Sequence, residues 1–214
     1  VDPKQLWSGR HVLTARKVRF TGGVLAAICM LAILVSGTWS VKSAIAISMV
    51  WAVSAWVGVK LPLLSQALLP CSLPSIRGRI SWTTCLVLTW VVVVGVGSAV
   101  AGGRMADLVL ALVVATLVCY AGAKLGCLAL GCCYGVPNTV SLLRGYRLPL
   151  CEVALACIMI VGMLAVPQEW LWAATCIAVG AHLGSRQMAY VARGESNPWF
   201  RISRHVAIQQ PGRS

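Results

Sequence analysis

From Ser81 to Ala101 no side chain is charged, and the same holds from Thr21 to Trp39 and from Ser43 to Val59. A run of about 18 or more apolar residues can cross the ~30 Å hydrocarbon core of a bilayer as a helix. Backbone amides find no water at that depth, so a chain of such runs is confined to helices that satisfy their own hydrogen bonds. The rest of the composition agrees. Charged residues make up 11% of the chain, against about 25% in a soluble domain, and the mean hydropathy is +0.84. The sequence therefore reads as an all-α, polytopic transmembrane bundle of about six spans. Their expected limits are Thr21–Trp39, Ser43–Ala67, Ser81–Ala101, Leu108–Cys133, Leu148–Val166 and Trp170–Val191. Pro70, Pro74, Pro137 and Pro167 fall between them, where helices stop. Residues 1–20 and 192–214 read as basic tails around a bundle over 21–191. No polar stretch is long enough for a second domain, which sets aside a soluble enzyme on an anchor.

The net charge of +13 has no basic soluble face to act through, so nucleic acid is excluded as a partner. The cations instead mark orientation and contact with anionic headgroups. Lys4, Arg10, Arg16, Lys17 and Arg19 precede the first span. Arg77 and Arg79, then Arg144 and Arg147, lie in the second-to-third and fourth-to-fifth connections, and Arg193, Arg201, Arg204 and Arg213 follow the last span. Lys42 and Arg104 lie on the opposite side with Asp107 and Glu169. Both termini are therefore expected in the cytoplasm, without a cleavable signal peptide. Trp39, Trp51, Trp82, Trp170 and Trp172 are expected to form an interfacial belt.

Function is expected where a charge enters an apolar span. Lys124 stands inside Gly122-Ala-Lys-Leu-Gly-Cys-Leu-Ala-Leu-Gly-Cys-Cys-Tyr-Gly135. At 1.5 Å per residue it is roughly 18 Å from Val136, too deep for easy snorkelling, so it needs an anionic partner. Asp107 and Glu152 are the candidates. Lys124, Cys127, Gly131 and Gly135 share one helical face. Gly122 and Gly126 form a small-x3-small pair, which lets either a helix or a lipid headgroup approach the backbone. A helix-packing face with a snorkelling lysine is the structural alternative. Cys127, Cys132 and Cys133 have neither zinc spacing nor a histidine nearby, so no metal or other cofactor is expected. The remaining cysteines read as small hydrophobes rather than a disulfide framework. Lys60 is a second intramembrane cation. Arg186, Tyr190 and Arg193 share a face near the end of the last span, where arginine suits phosphate recognition. His182 reads first as a helix-facing polar residue, with a place in the site as the minor alternative. Lys60, Lys124 and Arg186 together imply an anionic ligand, and in a membrane that is a phospholipid headgroup.

The segment Ala123-Lys-Leu-Gly-Cys-Leu-Ala-Leu-Gly-Cys-Cys-Tyr-Gly-Val-Pro137 resembles the central motif of the bacterial prolipoprotein diacylglyceryl transferase family. Gly58-Val-Lys-Leu61, Asp107, Pro149-Leu-Cys-Glu152 and the stretch from Arg186 to Arg193 are similar, in order, to the family's other elements. Lysine stands at 60 and 124 where the family has arginine, Tyr190 replaces a glutamate, and no histidine occurs near Ser81-Trp-Thr-Thr84. The resemblance implies an inner-membrane enzyme that moves a diacylglyceryl group from phosphatidylglycerol to the thiol of a lipoprotein precursor. It further implies that Lys124, Arg186 and Glu152 carry the chemistry and that Lys60 orients the lipid. Gly126, Cys127, Gly131, Gly135, Asp107, Tyr190 and Arg193 would line the substrate site, the nucleophile being the substrate's thiol. A related enzyme with another donor or acceptor, and a non-catalytic lipid-binding subunit of the same fold, are the alternative readings.

Overall fold

A computed structural model describes residues 9–37, 39–68, 81–100, 105–130 and 147–192. Among them the chain is all-helical. The helices are α1 (Gly9–Ser36), α2 (Val41–Leu68), α3 (Ser81–Val100), α4 (Met105–Leu130), α5 (Arg147–Ala165) and α6 (Leu171–Ala192), with a 3-10 turn at Gln168–Trp170 leading into α6. Four of these contain stretches long and apolar enough to cross a membrane: Leu13–Ser36, Val41–Gly58, Met105–Ala129 and Leu148–Ala165. The described apolar part of α3, Leu86–Val100, is shorter. The second half of α6 is diluted by His182, Ser185, Arg186 and Gln187.

Local sequence explains the joints. Gly37 closes α1 by donating its N–H to Ile33 O at 2.9 Å. Ser40 then caps α2, its Oγ accepting the Ser43 N–H at 3.1 Å, the usual use of serine at an N-terminus. So short a joint makes α1 and α2 neighbours. Pro149 sits in the first turn of α5, where its missing N–H costs nothing. Pro167 lies just past the end of α5 and accepts the Trp170 N–H at 3.0 Å, which sets the 3-10 turn.

The bundle is organised around α4. Of its apolar window 67% is buried, against 22–33% for the other three. Two stripes of α4 do different work. Leu108, Ala111, Leu112 and Ala115 pack with Ala26, Met30 and Leu34 of α1 and with residues of α2 and α3. Val109, Val113, Val114 and Leu117 pack with Met163 of α5 and Leu171 and Ala178 of α6. Each stripe follows the i, i+3/i+4 spacing of a helix face, and a helix apolar on both faces is a buried one.

Two expectations are corrected here. The first helix starts at Gly9, upstream of the apolar run at Thr21, so the basic residues from Arg10 to Arg19 belong to α1. Within this stretch Ala15 is buried, and Arg19 lies over Gly126 of α4. Trp39 and Trp51 are buried in the core formed by α1, α2, α3 and α4 rather than exposed in a belt. Trp170 and Trp172 are exposed, and the Trp82 side chain lies outside the described residues.

Candidate functional site

The stripe of α4 that faces α5 and α6 continues past Leu117 to Tyr120 and Lys124, and there it turns polar. Lys124 Nζ lies 2.7 Å from Glu152 Oε2 of α5, both side chains about nine-tenths buried. This is a close ion pair, off the line of a well-aligned hydrogen bond. The other carboxylate oxygen, Oε1, accepts the Tyr120 hydroxyl at 2.5 Å, a length typical of a charge-assisted bond. Tyr120 is one helical turn before Lys124, so one face of α4 offers both groups to one carboxylate. The ammonium also stands 5.2 Å from the Tyr120 ring centroid, within cation–π range.

His182 of α6 completes the cluster. Its ring meets the Tyr120 ring edge-on, with centroids 4.5 Å apart and an interplanar angle of 87°. It is buried, and among the described residues neither ring nitrogen has a hydrogen-bond partner. Lys124 and Arg186 both lie near the imidazole. Arg186 follows His182 by one turn on α6, and Ser185 Oγ donates to His182 O at 2.8 Å. Three helices thus bring Lys124, Tyr120, Glu152 and His182 to one level of the bundle, with Arg186 one turn beyond. A cavity of about 50 Å³ between α3, α4 and α6 opens beside His182.

The expected site residues separate into three groups. Lys124 and Glu152 come together, and Arg186 stands one turn from His182 on α6. Asp107 does not join them: it stands at the other end of α4, against Gly37, where a Cβ would meet its carboxyl at 2.6 Å. Seventeen residues of helix put it roughly 25 Å from Lys124. Gly126 does not join them either. It packs on α1, where an added Cβ would meet Arg19 Cγ at 2.6 Å and Ala15 O at 3.2 Å. Cys127 belongs to the same contact, accepting from Arg19 Nη2 at 3.6 Å. Gly131, Gly135, Arg193, Cys132 and Cys133 lie outside the described residues. Lys60 and Tyr190 fall in α2 and α6 with side chains outside the described residues.

Tyr120 and His182 were legible only through partners. Tyr120 precedes Lys124 by four residues and His182 precedes Arg186 by four, so each shares its cation's face. Tyr120→Phe removes the bond to a charged acceptor, worth about 1.5–3 kcal/mol. A lower thermal midpoint in detergent, with the helical signal intact, is the expected result.

These observations define, among the described residues, an all-helical bundle with several membrane-spanning candidates and a buried polar cluster where α4, α5 and α6 meet. No protein-family profile, curated protein or solved structure matches the chain.

Proposed function

We propose that the protein is a six-span enzyme of the bacterial cytoplasmic membrane, both termini cytoplasmic, that transfers a diacylglyceryl group from an anionic phospholipid, phosphatidylglycerol, to a thiol of a lipoprotein precursor. The observation that carries this reading is the Lys124–Glu152–Tyr120 cluster. An ion pair inside an apolar bundle is a costly arrangement and marks a functional position. Beside it are an imidazole with no hydrogen-bond partner among the described residues and an arginine.

The reaction needs three things from the protein. Arg186 offers the planar fork that suits a phosphodiester, and Lys124 adds positive field where charge develops on the departing phosphate. The same positive field of Lys124 and Arg186 favours the thiolate form of the acceptor, whose proton is released to solvent. The thiolate sulfur forms a bond to the glycerol carbon that carries the phosphate, that carbon–oxygen bond breaks, and glycerol phosphate leaves with the electron pair. Glu152 and Tyr120 hold Lys124 in position.

A second reading is favoured by one observation. Glu152 already meets the charge of Lys124, which suits a lipid-binding subunit whose cluster only joins helices. Labelled phosphatidylglycerol and a lipobox peptide separate the two. Transfer is expected from the wild type, with a loss of about 100-fold or more in Lys124→Ala and Arg186→Ala, the scale seen when a charge-stabilising group is removed. Absence of transfer by well-folded wild type sinks the enzymatic reading. Transfer untouched by Lys124→Ala sinks the site.

A further inference from the structure

On the other side of α4 from this cluster, α1 and α2 diverge into a lateral cleft of about 650 Å³. That is within the ~300–1,000 Å³ range of small-molecule sites. Its walls are apolar, and Val24, Ile28, Met49 and Trp56 on it are all exposed at the surface of the bundle. Gly23 widens it: a Cβ built there meets nothing within 4 Å. The α1 wall runs from Phe20 to Leu31, which at 1.5 Å per residue is roughly 17 Å. Half of a ~30 Å hydrocarbon core is about 15 Å, so the cleft has the depth of one leaflet's acyl chains.

One end of the cleft is charged. Arg19 lines it there. Its stem packs over Gly126, and its hydrogen bond to α4 goes to a thiol rather than a carboxylate. Arg16, also exposed, lies one turn further on the same side of α1. The apolar trough and its cationic mouth match the two halves of an anionic phospholipid.

We infer that the α1–α2 cleft is a binding site for an anionic phospholipid, one acyl chain lying along Gly23, Val24 and Ile28 and the phosphate resting on Arg19. The site stands apart from the proposed transfer reaction. It is separated from the Lys124 cluster by α4 and does not require that chemistry to occur.

Trp51 and Trp56 line the cleft, so a bromine-labelled acyl chain that enters it quenches their fluorescence. The experiment titrates brominated phosphatidylglycerol, and separately brominated phosphatidylcholine, into phosphatidylcholine vesicles holding the full chain. Subtracting the Trp56→Phe variant isolates the cleft signal. Phosphatidylglycerol is expected to reach half-quenching at a lower mole fraction than phosphatidylcholine. Arg19→Gln should erase about fivefold of that preference, the scale of one interfacial cation. Gly23→Leu, which enters open space, should remove the Trp56 signal for both lipids while leaving the fold intact. Lys124→Met should change neither, so failure of the transfer assay and failure of this one are distinguishable. Equal quenching by the two lipids in the wild type, or a preference untouched by Arg19→Gln, overturns the proposal in favour of unselective annular lipid. A Trp56 signal that neither lipid quenches, with cross-linked dimers through this face, overturns it in favour of a second copy of the chain.

Discussion

Glu152→Gln is expected to lower the stability of the bundle by about 3–5 kcal/mol, the cost of leaving a buried charge without its partner. At about 2–4 °C per kcal/mol for a chain of this size, the thermal midpoint in detergent should fall by roughly 6–20 °C. The cause is specific. Lys124 is almost fully buried and its ammonium lies 2.7 Å from the carboxylate. A neutral amide keeps the shape of the side chain and removes the charge. Tyr120 loses its charged acceptor in the same step. The triple variant Lys124→Met, Glu152→Leu, Tyr120→Phe tests the explanation, because it removes the ion pair and its hydrogen-bonded tyrosine at once. Replacing a whole buried ion pair by apolar groups is often neutral or stabilising, so this variant should regain most of the midpoint. It should also show no lipid transfer. Recovery of stability without activity separates the structural cost of the cluster from its use. A triple variant as unstable as Glu152→Gln would mean that the loss comes from packing around α5 and not from the unpaired lysine.

Different features of the bundle were legible in the sequence to different depths. The helical architecture was, because an apolar run has one solution in a bilayer and needs no knowledge of neighbours. The need of Lys124 for an acid was also legible, because charge in an apolar span demands compensation. Which acid answers it was not. Asp107 and Glu152 are equivalent in composition, and only the packing of α5 on α4 brings Glu152 to the lysine while Asp107 stays at the far end, against Gly37. The same limit applies to the small residues. The Gly122 and Gly126 pair announces a close approach, but spacing does not say what approaches. In the structure α1 covers that face, while Tyr120 and Lys124 meet Glu152 of α5. His182 was only a minor candidate for a related reason, since its environment is made by Tyr120 of another helix. The start of α1 was misplaced because hydropathy marks where a helix is apolar, whereas the helix continues upstream through Arg16, Lys17 and Arg19.

Gly122→Ala tests the α1–α4 contact, on which both proposed sites depend for their spacing. A Cβ on Gly122 would lie 2.7 Å from the Cα of Gly22, and one on Gly22 would lie 2.8 Å from the Cα of Gly122. Backbone meets backbone, so no side chain can turn aside and α1 must move away from α4. Overpacking of this kind costs about 1–3 kcal/mol for a methyl group, and Gly122→Leu should cost more. Gly180→Ala in α6 is the control, because a Cβ there meets nothing within 4 Å. Replacing that helical glycine should be neutral or stabilising by up to ~1 kcal/mol. Thermal midpoints of the three variants should therefore fall in the order Gly180→Ala, Gly122→Ala, Gly122→Leu. The displacement also has a direction. Gly126 and Cys127 lie one turn along α4 from Gly122 and hold Arg19, so moving α1 outward lifts Arg19 from its seat. The phosphatidylglycerol preference read at Trp56 should weaken in Gly122→Ala, while transfer through the Lys124 cluster, built on the opposite stripe of α4, should fall less. Equal loss of both would show that α4 shifts as a unit when α1 is displaced.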